Sequence, residues 1–236
     1  MKPTTPSALL WWYFQRMELF QGLPEEELRW LHRQSLMRHY RPGTYIALSL
    51  PDESHIYMVK AGFVELGYRD ARGRVFVVDL LGPGDFFGRL SFGGHVDSFA
   101  RAAGEVDLCI IAPQAFLSVI ERYPDLALRV LQRQAAYIRL LESRLRGVVF
   151  QDVRHRILHL LSDFHRRFAR RPDECLEIPL THRAIASMVG CSRETASLYL
   201  SRLKKAGIID YTRRYICIRD PQGLQEKLPS LFEEEL

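Results

Sequence analysis

The sequence predicts an α+β protein in which a β-barrel, roll or sandwich is followed by one long helix and a small helical domain that ends in a β-hairpin. Three patterns support this prediction. Short β-branched and aromatic runs alternate with turn residues through residues 40–112. A narrow apolar stripe with heptad spacing runs through residues 125–149, and two short helical patterns followed by an alternating hairpin occupy residues 180–218.

The composition is that of an ordinary globular chain. The 236 residues are 47% hydrophobic and 26% charged, so we expect one large domain or two small ones. No apolar run approaches a membrane span, so we expect no membrane partner. The first residues show no basic stretch followed by an apolar run and a small-residue cleavage site, so we do not expect secretion. The four scattered cysteines form no C-x-x-C pair, which argues against a zinc ribbon or a disulfide framework and favours reduced thiols in a cytoplasm. No phosphate-binding loop, nucleophile elbow or H-E-x-x-H motif occurs, so we do not expect an enzyme.

Positive charge is concentrated in one C-terminal block. The net charge of +5 divides into +2 for residues 1–150, +7 for residues 151–219 and −4 for residues 220–236. The middle block has 14 Lys and Arg against 7 Asp and Glu. Such a block favours a polyanionic partner, either nucleic acid or an anionic surface.

Residues 1–124 are expected to form the β-domain. The aromatic residues 11–14 should either pack on the neighbouring domain or form an exposed patch. A short helix should begin near Pro24, because three glutamates follow it. Residues 70–73 should form a hairpin turn with Gly73 at a positive φ. The clearest strands are expected at residues 45–48, 55–60, 63–67 and 75–81.

Residues 125–150 are expected to form one long helix and a hinge. Intervals of 4 and 3 residues separate the members of the stripe, which is the a/d spacing of a coiled-coil seam. Because this stripe is narrower than a core-facing one, we expect it to pair with an identical chain; packing on the chain's own β-domain is the alternative. Asp152 should cap the next helix. The expected dimer seam comprises Leu131, Gln134, Ile138, Leu141, Leu145 and Val148.

Residues 151–219 contain two short helical patterns joined by a glycine turn, followed by a hairpin. Thr181 and Ser192 should cap the two helices, and Gly190 should allow the turn between them. The polar start of the second helix suits the major groove of DNA, because an arginine can bond guanine O6 and N7 and a glutamate can accept from cytosine N4. A solvated charge pair is the alternative for Arg193 and Glu194. The expected base-reading residues are Arg193, Glu194, Ser197 and Leu198, and the expected phosphate contacts are Thr181, Arg183, Ser192, Thr195, Arg202, Arg213 and Arg214.

These motifs resemble the winged helix-turn-helix of the CRP/FNR (cyclic-AMP receptor protein) family. The C-terminal resemblance rests on residues 189–195 and 207–209, while residues 57–64 and 82–88 resemble the family's cyclic-nucleotide-binding β-roll. The resemblance covers most of the chain. It implies a homodimeric transcription factor with a β-roll, a dimerisation helix and a winged helix-turn-helix, which binds a palindromic promoter site with its recognition helices about 34 Å apart. It also implies contact with RNA polymerase, for which residues 170–177 are the candidate loop.

The sequence departs from the family pattern at two sites. The DNA-reading triplet resembles Arg-Glu-x-x-x-Arg, but Leu198 stands in the third place, so we expect a relaxed preference at one base pair. In the effector pocket, Arg89 replaces the glutamate of cyclic-AMP responders, residues 96–97 lack their arginine, and residues 141–142 lack their hydroxyl groups. An anionic cyclic phosphate would be disfavoured there, so we do not expect cyclic-AMP dependence. The expected effector pocket comprises Gly88, Arg89, Leu90, Asp97, Arg101, Leu141 and Glu142.

If cyclic AMP does not control DNA binding, two alternatives remain for its regulation. Arg89 and Glu142 could approach each other, fill the pocket and keep the protein active without an effector. Alternatively, Arg89 and Arg101 could recruit another small anion. The cysteines and histidines do not match the family's iron–sulfur or haem sensors, so we expect no cofactor and no metal. Residues 220–236 should form a short packed helix with an acidic tail. Alternatively, this acidic segment could fold over the basic face and inhibit DNA binding, and the protein would then be a sensor or interaction protein with weakened DNA binding.

Overall fold

A computed structural model describes residues 11–15, 17–46, 55–88, 98–169, 178–213 and 215–228. The chain divides into two compact units. The first consists of residues 1–69 and 80–138, and the second of residues 70–79 and 139–236. Of the described helices, none is both long and apolar enough to cross a membrane.

The β-rich part of the chain has the expected architecture. Its strands form two four-stranded sheets with the orders β1-β8-β3-β6 and β2-β7-β4-β5. The strands are β1 (Ser35–Tyr40), β2 (Tyr45–Ile46), β3 (Ile56–Ala61), β4 (Val64–Arg69), β5 (Val75–Leu81), β6 (Phe86–Gly88), β7 (Ser98–Ala102) and β8 (Val106–Ile111). The helices around them are α1 (Trp11–Gln15), a 3₁₀ turn (Glu18–Phe20), α2 (Glu25–Arg33) and α3 (Pro113–Arg122). The turn before β5 has Gly73 at a φ of 77°, as the sequence predicts.

The core cluster of the first unit forms where the sheet β1-β8-β3-β6 meets the helices. Met58 pairs with Cys109 across β3 and β8 and with Phe86 across β3 and β6, and all three side chains are buried together. Phe14 is buried in the same cluster, with its ring edge-on to that of Phe20 at 5.1 Å between centroids. The aromatic N-terminal segment therefore packs, at Phe14, into the core of its own unit.

The long helix α4 (Pro124–Phe150) contributes residues to both units. The remaining elements of the second unit are α5 (Val153–Phe168), α6 (His182–Val189), α7 (Arg193–Lys205), β9 (Ile209–Tyr211), β10 (Ile216–Ile218) and α8 (Pro221–Glu226). Asp152 caps α5 as predicted, because its side chain accepts a hydrogen bond from the backbone N–H of His155. Helix α8 packs through Leu224, whose side chain is buried. Residues 229–236 of the expected acidic tail lie outside the described residues.

Two details correct the predictions. Cys217 is disulfide-bonded, whereas Cys109 and Cys191 are free, so the expectation of four reduced thiols is wrong; Cys175 lies outside the described residues. A disulfide needs two sulfur atoms close together in the folded chain, and wide sequence spacing does not exclude that. Strand β1 was also not among the strands expected. Its sequence has two adjacent apolar residues, Leu36 and Met37, followed by two basic ones, so apolar and polar residues do not alternate.

A buried ion pair joins Asp79 of β5 to Arg167 of α5 inside the second unit. Asp79 is 1% exposed and accepts hydrogen bonds from both terminal nitrogens of Arg167, at 2.8 and 3.3 Å. Arg144 of α4 lies 3.5 Å from the same carboxylate. This bidentate geometry fixes the position of β5 against α5 more firmly than a single contact would.

Replacing Asp79 by alanine is expected to lower the free energy of unfolding by roughly 3 kcal/mol, because the buried Arg167 guanidinium would lose its main partner. Chemical denaturation followed by circular dichroism measures the loss. Asp70→Ala is the matched control, since the exposed Asp70 pairs with Arg74 and accepts from two backbone N–H groups of the turn, so its loss should be smaller. Equal losses in the two variants would contradict this assignment.

Candidate nucleic-acid interface

Helix α6 begins and ends at the residues that the sequence predicts. The Thr181 hydroxyl oxygen accepts a hydrogen bond from the backbone N–H of Ala184 at 3.1 Å, which satisfies one free donor of the first turn. At the other end, Gly190 has φ 68° and ψ 49°, in the left-handed region. The chain can therefore turn sharply into α7. The predicted inner face, Ile185, Ala186 and Val189, is buried.

Gly190→Ala is expected to lower the free energy of unfolding by about 1–2 kcal/mol, because a side chain disfavours the left-handed conformation. A Cβ at position 190 would meet no atom within 4 Å, so this loss would come from the backbone alone. Gly104→Ala is the control, since its Cβ also meets nothing and its φ is not positive. Thermal unfolding of both variants measures the difference. A Gly190 variant as stable as the Gly104 variant would be the contrary result.

Helix α7 presents charged residues at its exposed start. Ser192 caps it, with its hydroxyl oxygen accepting from the N–H of Thr195 at 3.1 Å. Arg193 and Glu194 are exposed, and Leu198, one turn further on, is 60% exposed. The face that packs against the rest of the unit consists of Ala196, Leu200 and Leu203, as predicted.

The hairpin that follows α7 is a small wing. Strands β9 and β10 pair antiparallel, with Ile216 opposite Tyr211, and Ile178 extends the pairing on the other side of Ile216. The N–H of Thr212 donates to the carbonyl of Tyr215 at 2.9 Å and closes the turn. Arg213 is exposed in that turn, while Arg214 lies outside the described residues.

Several arginines on these elements keep their charge unpaired. Within the described ranges no carboxylate pairs with the four exposed arginines, which are Arg183 in α6, Arg193 and Arg202 in α7, and Arg213 in the wing. By contrast, Lys204 pairs with Asp210 at 2.6 Å, and Arg156 donates to the carbonyl of Val189 at 2.9 Å. Unpaired guanidinium groups on consecutive elements are what a phosphate backbone binds.

Three of the predicted contact hydroxyls already have partners within the protein. Those of Thr181 and Ser192 cap helices, and the Thr195 hydroxyl lies 2.9 Å from that of Ser192. The Ser197 hydroxyl lies 2.9 Å from Nδ1 of His182, a residue that sequence reasoning missed. The signal for it was weak: a histidine directly after the predicted cap.

The expected effector-pocket residues are placed in part. Gly88 ends β6 and Arg101 lies in β7, both in the first unit, while Leu141 and Glu142 are exposed on α4 in the second. Arg89, Leu90 and Asp97 lie outside the described residues, so the predicted approach of Arg89 to Glu142 does too.

Arg101 has a buried acidic partner. Its Nε lies 2.8 Å from Glu65, which is 5% exposed, and its guanidinium lies beside the rings of Tyr45 and Phe99. Burial disfavours the Arg101 charge, but the hydrogen bond and the charge of Glu65 outweigh burial and raise the pKa of Arg101. The cation expected to recruit an anionic effector is therefore already neutralised by Glu65.

The predicted seam on α4 is exposed in the single chain. Leu131, Ile138 and Leu145 are 62%, 55% and 66% exposed, and Gln134 is half-buried. Leu141 and Val148 are also exposed. Val149 and Phe150 extend this apolar surface beyond the residues predicted. Such a long apolar stripe is typical of a helix that pairs with another helix.

Two family models match the chain. One described as "Crp-like helix-turn-helix domain" matches residues 155–227, and one described as "Cyclic nucleotide-binding domain" matches residues 37–123. The described residues contain no group of three or more side chains suited to a metal ion.

Curated relatives are similar in sequence over most of this chain, and a solved structure shares its fold. The "CRP-like cAMP-activated global transcriptional regulator" of Mycobacterium tuberculosis is 27% identical over 90% of this chain and 96% of its own. The "cAMP-activated global transcriptional regulator CRP" of Salmonella typhimurium is 27% identical over 80% of this chain and 92% of its own. FixK2 from Bradyrhizobium japonicum superposes with a TM-score of 0.73 at 23% identity, covering 83% of this chain and 98% of its own.

Proposed function

The chain belongs to the CRP/FNR family of DNA-binding transcriptional regulators, and we propose that it acts as a homodimer that reads a palindromic promoter site with its two α7 helices. The observation that carries this proposal is the start of α7. Ser192 caps the helix there, and Arg193 and Glu194 project from its first turn without partners among the described residues. These side chains are free to bond base edges when the helix enters a major groove.

The homodimer supplies the symmetry. If the apolar stripe of α4 pairs with the same stripe of a second copy, its exposed leucines and Ile138 become buried. A two-fold dimer presents two copies of α7 to half-sites about 34 Å apart, which is why the expected site is a palindrome. A regulator bound there would also contact RNA polymerase, as the family resemblance implies.

The exposed arginines account for affinity that does not depend on sequence. Each subunit offers Arg183, Arg202 and Arg213 to the phosphates. Three contacts per subunit give six per dimer, so the logarithm of the binding constant should fall with the logarithm of salt concentration at a slope of about −5. Arg202→Ala should reduce the magnitude of that slope by about 2 per dimer.

The test is fluorescence anisotropy with a duplex selected by the protein from a random pool, titrated at several salt concentrations. We expect the selected duplex to be symmetric and its binding to weaken steeply with salt. Recovery of no common sequence, or binding that salt does not weaken, would overturn the proposed function.

We further propose that DNA binding does not require cyclic AMP. Arg101 already forms an ion pair with Glu65. Leu141 and Glu142 occupy the positions at which the family resemblance predicts hydroxyl groups. Cyclic AMP should therefore change DNA affinity by less than about twofold, whereas a coupled effector typically changes it 5–150-fold. The mycobacterial relative, which is described as cAMP-activated, is the positive control. A large increase for this protein would refute the proposal.

A further inference from the structure

His182 connects the three elements that the proposed function places against DNA. It is the first residue of α6, and its Nδ1 lies 2.9 Å from the Ser197 hydroxyl of α7. Its ring meets the ring of Tyr211 in β9 edge-on, with 4.6 Å between the centroids. His182 and Ser197 are both half-buried, so this contact is more sheltered from water than the exposed charges around it.

Ser197 lies on the side of α7 that carries the reading residues. It follows Arg193 by four residues, and residues four apart are neighbours on one helix face. Ser197 is half-buried, so the residue keeps some surface open to a base edge while its hydroxyl contacts His182.

The hydrogen-bonding capacity of the hydroxyl depends on the imidazole. A serine hydroxyl has one hydrogen to donate and two lone pairs to accept with. When Nδ1 of His182 carries no hydrogen, the Ser197 hydroxyl donates to it, so only acceptor capacity remains for a base. When His182 is protonated, Nδ1–H donates to the Ser197 oxygen and the hydroxyl hydrogen becomes free to donate.

We propose that His182 is a specificity-determining residue: whether its Nδ1 carries a hydrogen decides whether Ser197 accepts from or donates to a base in the major groove. The inference rests on the proposed function, since it requires α7 to lie in the groove. With His182 neutral and its hydrogen on Nε2, Ser197 favours adenine N6 or cytosine N4, which donate. With charged His182, Ser197 favours guanine N7 and O6 or thymine O4, which accept.

The surroundings of His182 favour the neutral ring. Burial, and then the positive charge of Arg193, lower the pKa of His182. The groups that face the ring are Ser197 and Arg193 from α7 and Tyr211 from β9, with Lys204 above the Tyr211 ring at 4.7 Å. Within the described part of the chain no carboxylate bonds the imidazole. The acceptor role of Ser197 is therefore the one expected at neutral pH.

The experiment measures base preference at two pH values. Half-sites with each base pair randomised in turn compete for the protein in one tube, at about pH 8 and about pH 5. The lower value is set well below the ordinary histidine pKa because the pKa of His182 is lowered. Effects of pH on overall affinity cancel in the ratio between competing sequences. At one base pair, the wild type should prefer adenine or cytosine by about fivefold at the higher pH, and its preference should shift toward guanine or thymine at the lower pH.

Two variants separate this role from a structural one. His182→Asn keeps a hydrogen-bonding group near Nδ1 that does not titrate, so the preference should be the same at both pH values. Ser197→Ala should show no preference at that base pair at either pH, while the preference assigned to Arg193 persists. A lost structural contact would instead weaken binding to all sequences alike.

A wild-type preference that is identical at the two pH values would overturn the proposal, as would a His182→Asn variant that shifts with pH as the wild type does. Failure of the proposed function gives a different result, because the protein would then show no base preference at any position at either pH.

Discussion

Leu145→Glu is expected to convert the dimer into monomers and to weaken binding to the full palindrome by at least about a hundredfold. Leu145 is 66% exposed in the single chain and lies at the centre of the C-terminal half of the seam. Burying a leucine stabilises by about 1.5–3 kcal/mol, and each dimer would lose two such contributions. The two introduced carboxylates would also face and repel each other across the seam. Loss of the dimer also removes the gain in affinity from holding two reading helices together, which is typically 10²–10⁴-fold.

Sedimentation equilibrium gives the mass, and anisotropy gives the affinity for full and half-site duplexes. Ser143→Glu is the control, because Ser143 is exposed on the opposite side of the same helix and the substitution adds the same charge. A Leu145→Glu variant that remains dimeric at the concentrations where the wild type is dimeric would contradict the predicted seam.

Arg193→Ala is expected to remove the preference for guanine at one position of each half-site. Its guanidinium is exposed on the first turn of α7, and a bidentate contact with guanine contributes about 1–3 kcal/mol of discrimination. With two half-sites, the difference in binding free energy between the best site and a doubly substituted site should shrink by about 2–6 kcal/mol. The fold should be unaffected, because Arg193 has no side-chain partner among the described residues.

Competition between the selected duplex and its guanine-substituted versions measures this change. Arg38→Ala is the control, since Arg38 is an exposed arginine of β1, outside the candidate interface. A uniform loss of affinity for all sequences would instead place Arg193 on a phosphate. In the same selection, the base pair facing Leu198 should be the least constrained, because an apolar side chain offers at most a contact with a thymine methyl.

The sequence predicts the local structure of the interface well, because each feature depends on neighbouring residues. The caps at Asp152, Thr181 and Ser192 bond backbone groups three residues away, and Gly190 is placed by the sharp turn it allows. Periodicity also predicts the buried faces of α6 and α7, because a helix repeats every 3.6 residues whatever surrounds it.

Contacts between distant residues could not be predicted in this way. Arg101 with Glu65, Asp79 with Arg167, and His182 with Ser197 are separated by 36, 88 and 15 residues. Each pairing depends on how strands and helices pack, and no local pattern records it. The disulfide bond of Cys217 likewise depends on which residues the folded chain brings together. The resemblance alone therefore left Arg101 available for an anion, whereas the structure pairs it with Glu65.

The most direct test of this account is the crystal structure of the protein bound to its selected duplex. The account predicts a two-fold dimer joined along α4, with both α7 helices in successive major grooves and the Arg193 guanidinium within hydrogen-bonding distance of guanine O6 and N7 in each half-site. A complex in which α7 lies outside the groove, or in which Arg193 contacts no base, would contradict it.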